Sequence, residues 1–169
     1  MPSFESGTAA GEYTMTIGAQ TAGSCQFGKT LNKTILTSPI QGSDKWGDTI
    51  TGDIIRGAAL TIQFNFKTWD AAVIRAMDAT NTNSVSTMLQ VPSIGNDLYD
   101  IAKTIVLTPK AGTPAAITGP TSITLDKTII EPGFPLSILL DSQLRILPVR
   151  MRVYPVDRGG GVYSFGIVV

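Results

Sequence analysis

The chain has 169 residues, enough for one domain that buries roughly 70% of the surface its unfolded form would expose. Its 13 Lys and Arg balance 13 Asp and Glu, which argues against a protein made to grip bare nucleic-acid backbone, because that affinity comes from uncompensated basic residues. Histidine is absent and Cys25 is the lone cysteine, so Ser-His and Cys-His nucleophiles, an internal disulfide, and His or thiolate zinc cages are all excluded.

Residues 1–11 read as a small-residue arm. In 12–18, EYTMTIG, Tyr13, Met15 and Ile17 alternate with Thr14 and Thr16, the period of a half-buried strand. A second short strand is expected near 24–31, weakened by Gly28. Residues 32–49 hold the turn formers Asn32, Pro39, Gly42, Asp44 and Gly47 beside apolar Ile35, Leu36, Ile40 and Trp46. They read as a long loop, and its apolar residues fit docking on the parent domain or on another subunit. After GDIIRG, read as a further strand or a bend, the period-two pattern is without error: Leu60, Ile62, Phe64 and Phe66 face one way, and Thr61, Gln63, Asn65 and Lys67 the other.

Thr68 is a good N-cap, Asp70 supplies first-turn negative charge, and Trp69, Ala72, Val73, Ala76 and Met77 recur at helical spacing. The pattern predicts one helix of about three turns that covers a sheet. Further strands are predicted over 99–110, over 122–130 and over 162–169, separated by the polar 78–84, the Pro/Gly loop after Lys110 and, over 132–143, a turn and an apolar piece. Residues 84–91 form a weak second helix candidate. The glycine-rich 157–164, DRGGGVYS, leads into a strand and so reads as a hairpin turn, not a phosphate cradle.

The stretch 143–156, QLRILPVRMRVYPV, alternates apolar and basic residues, but its phase slips between Ile146 and Leu147. A β-bulge at 146–148 accounts for both the slip and Pro148. Arg150 and Arg152 then share a face, either as solvated charges on a sheet edge or as partners of carboxylates across a subunit contact.

About seven or eight short strands with Pro/Gly turns and one flanking helix predict a mainly β fold, a β-sandwich or barrel, with residues 1–169 as a single domain. No basic n-region with an apolar h-region opens the chain and no apolar run approaches the ~20 residues of a membrane helix, so the expectation is a soluble protein folded in a cytoplasm, with no membrane partner. The carboxylates Asp44, Asp48, Asp53, Asp97, Asp100 and Glu131 lie mostly in turn contexts. With no phosphate-binding motif and no metal or cofactor signature, the reading is a protein without catalytic function or cofactors.

Two segments, ITGDIIRGAALTIQFNFKTWDAAVIRAM and PGFPLSILLDSQLRILPVRMRVYPVDRGGGVYSFGIVV, together about two-fifths of the chain, resemble the bacteriophage tail tube proteins, the major tail proteins of long-tailed phages. The resemblance implies a structural virion protein: homohexameric, self-assembling rings of β-sandwich subunits stacked into a tube. The partners it implies are further copies and other tail proteins, with DNA as a passing, non-specific cargo and a surrounding sheath left open. It implies that the loop 32–49, with Leu36, Ile40 and Trp46, meets an adjacent ring. It also implies that Arg150 and Arg152 serve a subunit interface, and that Thr61, Gln63, Asn65 and Lys67 line the channel or a ring contact. Family channels tend to be acidic, whereas this chain is neutral. Two alternatives are a tail terminator, connector or head decoration protein of a phage, and a carbohydrate-binding β-sandwich module.

Overall fold

The computed structural model describes residues 13–22, 29–41, 50–66, 71–77, 95, 97–112, 120–135 and 146–169. It is mainly β. In chain order the elements are β1 (Tyr13–Ile17), β2 (Gln20–Thr21), β3 (Thr30–Gln41), β4 (Ile50–Phe66), α1 (Ala71–Met77), α2 (Leu98–Ile101), β5 (Lys103–Pro109), β6 (Ile123–Ile130), β7 (Leu147–Tyr154), β8 (Val156–Asp157), β9 (Tyr163–Ser164) and β10 (Gly166–Val168). Eight strands form one antiparallel sheet in the order β2-β1-β5-β6-β7-β4-β3, with β10 also on β6; β8 and β9 make a separate two-stranded sheet. Eight strands therefore share one large sheet that is not closed, which corrects the barrel of the two architectures expected, a β-sandwich or a barrel.

One face of this sheet carries the core. Met15 and Ile17 of β1, Ile105 and Leu107 of β5, and Leu125 of β6 are buried with Val149, Met151 and Val153 of β7 and Ile62, Phe64 and Phe66 of β4. Each strand supplies alternate residues, as a pleated strand with one buried face must. Phe64 and Phe66 meet edge to face, 4.9 Å between ring centroids. Helix α1 adds Val73, Ile74, Ala76 and Met77 to the same core and packs near β1 and β2. Its described part, Ala71–Met77, is two turns; Thr68, Trp69 and Asp70, on which the expected N-terminal turn rests, lie outside the described residues.

Several local expectations change. The long loop at 32–49 is replaced over its first ten residues by β3, and GDIIRG continues β4 without a break. Cross-strand pairing outweighs the turn preference of Asn32 and Pro39, and β3 lies at a sheet edge, where a proline's missing N–H is tolerated. Residues 98–101 are a short helix, not the start of a strand, because the Asp97 carboxylate accepts a hydrogen bond from the Tyr99 N–H and caps it. The C-terminal strand is split into β9 and β10.

The bulge expected at 146–148 is absent: β7 starts at Leu147 and pairs with β4 in unbroken register from Leu147↔Phe66 to Val153↔Leu60. The slip falls at the strand's beginning. Pro148 opposes Asn65 of β4, whereas β6 reaches only Met151, so the proline lies where β7 is paired on one side. A bulge does occur in β6, where Lys103 opposes Thr128 but Ile105 opposes Leu125. The extra residue puts Leu125 and Thr128 on the core face and sends Lys127 and Ile129 to the other, opposite Tyr154 and Arg152.

Candidate functional site

Two features outside the core stand out. The first is a two-stranded ribbon. Strand β4 pairs with β7 only as far as Leu60, and its first ten residues continue past that partner, with β3 their one strand partner among the described residues. At about 3.3 Å per residue they extend roughly 30 Å. The register shifts twice, with Arg56 unpaired between Leu36↔Gly57 and Thr37↔Ile55, and Thr51 unpaired between Ile40↔Gly52 and Gln41↔Ile50.

The ribbon is apolar on both faces. Paired residues share a face, so Ile35, Ala58 and Ile55 lie on one side and Leu36, Ala59 and Ile54 on the other. Ile35, Leu36, Ile54 and Ile55 are 54%, 51%, 57% and 68% exposed. A single hairpin in water is marginal without a packed face, and here the described apolar side chains of both faces are exposed. Lys33 is the one charged residue in β3, a long edge strand with little of the charge that usually guards an edge.

The second feature is the polar face of the central strands. Thr61, Gln63 and Asn65 of β4 stand opposite Arg152, Arg150 and Pro148 of β7, and opposite Asn32 and Thr30 of β3. Both arginines reach the same carboxylate. Arg150 Nε pairs with Glu131 Oε2, and the Arg152 guanidinium lies 3.5 Å from Glu131 Oε1. Glu131 is placed by a turn: Phe134 N–H donates to its carbonyl at 2.9 Å, with Pro132 and Gly133 between, and Gly133 at φ +83° suits the turn position that only glycine fills easily. Further along this face α2 sets the Tyr99 ring 4.8 Å from Lys127 Nζ and 6.0 Å from the Tyr154 ring.

The predicted interface residues therefore separate. Leu36 is on the exposed ribbon. Ile40 has its backbone in β3 opposite Gly52, while its side chain, like Trp46 and Lys67, lies outside the described residues. Arg150 and Arg152 are on a central strand, not an edge, and each has a carboxylate from its own chain; the reading of them as solvated edge charges is corrected accordingly. Thr61, Gln63 and Asn65 share the half-buried polar face. The sequence reading named Ile35 as an apolar residue of the expected loop but did not single out Ile54 and Ile55 as exposed. It also missed the role of Glu131, which no local pattern signals because its partners are about twenty residues away.

Among the described residues no group of three or more His, Cys, Asp or Glu could hold a metal ion, and no helix is long and apolar enough to cross a membrane. Comparison with protein-family models, with curated proteins and with solved structures found no match.

Proposed function

We propose that the protein is a self-assembling structural subunit, and that its assembly is the stacked-ring tube of a phage tail, through which DNA passes without being bound specifically. The observation that carries the self-assembly reading is the ribbon of β3 and β4, with Ile35, Leu36, Ile54 and Ile55 exposed on both of its faces. Fully burying such a side chain is worth roughly 1.5–3 kcal/mol, and these, 51–68% exposed, would gain about half of that each. Four of them per copy offset a substantial part of the cost of association. A formal charge of zero adds little repulsion between copies.

The tube itself rests on the resemblance of 50–77 and 132–169 to tail tube subunits and on the polar, nearly uncharged row Thr61, Gln63 and Asn65, which suits a surface over which a polyanion slides. Here Arg150 and Arg152 add positive charge, about half of which Glu131 compensates within the chain. Negative-stain microscopy of the purified chain over a concentration series tests the reading. Long tubes of stacked rings are expected. Single rings that do not stack would favour a terminator, connector or decoration protein, and a monomer at all concentrations would overturn self-assembly.

A further inference from the structure

We infer that Arg150 and Arg152 form a weak site for the phosphodiester backbone of DNA, and that Glu131 is a built-in competing anion that keeps this site half-covered. The choice of DNA rests on the tube reading above; the site itself rests on the geometry of this chain.

Two guanidiniums share one carboxylate, so the cluster keeps one positive charge. The two pairings are unequal. Arg150 uses its Nε on Glu131, and that atom is closed off from solvent, so an incoming anion would meet the outer, Nη edge of the guanidinium. Arg152 stands 3.5 Å from Glu131, beyond hydrogen-bond range, and its side chain is 44% exposed. The spare charge is therefore chiefly that of Arg152. Neighbouring cations are engaged elsewhere: Lys127 Nζ donates to the Tyr99 carbonyl at 3.2 Å, and Arg158 pairs with Asp126.

The surroundings suit a phosphate. The planar fork of a guanidinium matches two oxygens of one phosphate. In the strand register Arg152 stands opposite Thr61 and Arg150 opposite Gln63, neutral side chains of a type that also bonds phosphate oxygens. Two residues apart on one strand, the arginines are about 6–7 Å from each other, a length over which one strand of a duplex passes about two phosphates. Contacts of this kind carry no sequence information, as a cargo of any sequence requires. A phosphate must compete with Glu131 for the arginines, and when it leaves, the carboxylate re-covers them from within the chain. Binding is thereby kept weak enough for DNA to move on.

Fluorescence anisotropy of a labelled short DNA duplex, titrated with the full chain over a salt series, tests this. Sedimentation velocity on the same samples identifies the dispersed protein. Glu131→Gln should bind about two- to fivefold more tightly than the unsubstituted chain. Its plot of log affinity against log salt should be steeper by about 0.9, the mark of one further phosphate neutralised. Adding Arg150→Gln and Arg152→Gln to Glu131→Gln should abolish the gain. Asp100→Asn, at an exposed position on α2, changes the net charge equally and should gain less. Equal gains from Asp100→Asn and Glu131→Gln would reduce the effect to net charge and overturn the inference. So would unchanged affinity in Glu131→Gln, or a gain that survives loss of both arginines. These outcomes are separate from the microscopy above: tubes with no gain in Glu131→Gln would overturn the site and keep the tube, and the predicted gain in a chain that never assembles would overturn the tube and keep the site.

Discussion

Glu131 engages Arg150 twice: its backbone N–H donates to the Arg150 carbonyl at 2.9 Å, and its carboxylate pairs with the Arg150 guanidinium. The backbone bond extends the β6–β7 pairing by one residue past Ile130↔Met151, and the same carboxylate then reaches Arg152. An end-of-strand turn thus sets one carboxylate between the two arginines of the central polar face and offsets one of their two charges.

Glu131→Gln removes the charge and keeps the backbone bond. The two arginine side chains are 41% and 44% exposed, so solvent screens most of the pairing, and the expected loss is about 1 kcal/mol or less. Urea unfolding at low and high salt checks it: the gap between the variant and the unsubstituted chain should narrow as salt rises. A salt-independent loss above about 3 kcal/mol would mean that the arginines are effectively desolvated.

Thr128 is buried on the core face, and its hydroxyl has no hydrogen-bond partner among the described residues. Valine has nearly the same shape and no polar atom to desolvate. Thr128→Val should therefore leave stability unchanged or raise it by about 1–2 kcal/mol. Thermal and urea unfolding would give the sign, and a clear destabilisation would show that the hydroxyl is bonded.

Gly166 is held against β6 so closely that a Cβ would fall 2.0 Å from the Thr124 carbonyl oxygen. Backbone, not a flexible side chain, occupies that space. Gly166→Ala should cost about 1–3 kcal/mol and should release β10 first, seen as faster amide exchange at 166–168 with β4 and β7 still protected. Gly57, where an added Cβ meets nothing within 4 Å, supplies the control: Gly57→Ala should change the exchange at β10 very little.

Ile35 and Ile55 lie on one face of the ribbon and outside the core. Replacing both with asparagine should change subunit stability by about 0.5 kcal/mol or less each, as for surface positions generally. Assembly should fall sharply, read by sedimentation velocity at matched concentration. Unaltered assembly would remove this face of the ribbon from the contact.

The strands were legible where one face is buried along their whole length. Met15 and Ile17, Ile62 to Phe66, and Leu147 to Val153 alternate cleanly because every second side chain enters the same core. The ribbon was not, because its apolar residues fall on both faces and leave no period to read. The bulge in β6 was equally hidden: only the pairing of Lys103 with Thr128 and of Ile105 with Leu125 reveals the added residue. The phase slip at Ile146 was real but belonged to a strand start.

By itself the order of residues determined a β-rich chain without histidine chemistry, an alternating core, a short helix after β4 and a glycine turn at 159–161, since these depend on composition and on contacts between near neighbours. The tertiary structure decided that eight of the strands join in one unclosed sheet, that Arg150 and Arg152 share Glu131, and that β3 and β4 run on past Leu60 as a ribbon with exposed apolar side chains. Those outcomes depend on which distant strands pair and where each pairing stops, and backbone hydrogen bonds carry no label of their partner in the sequence.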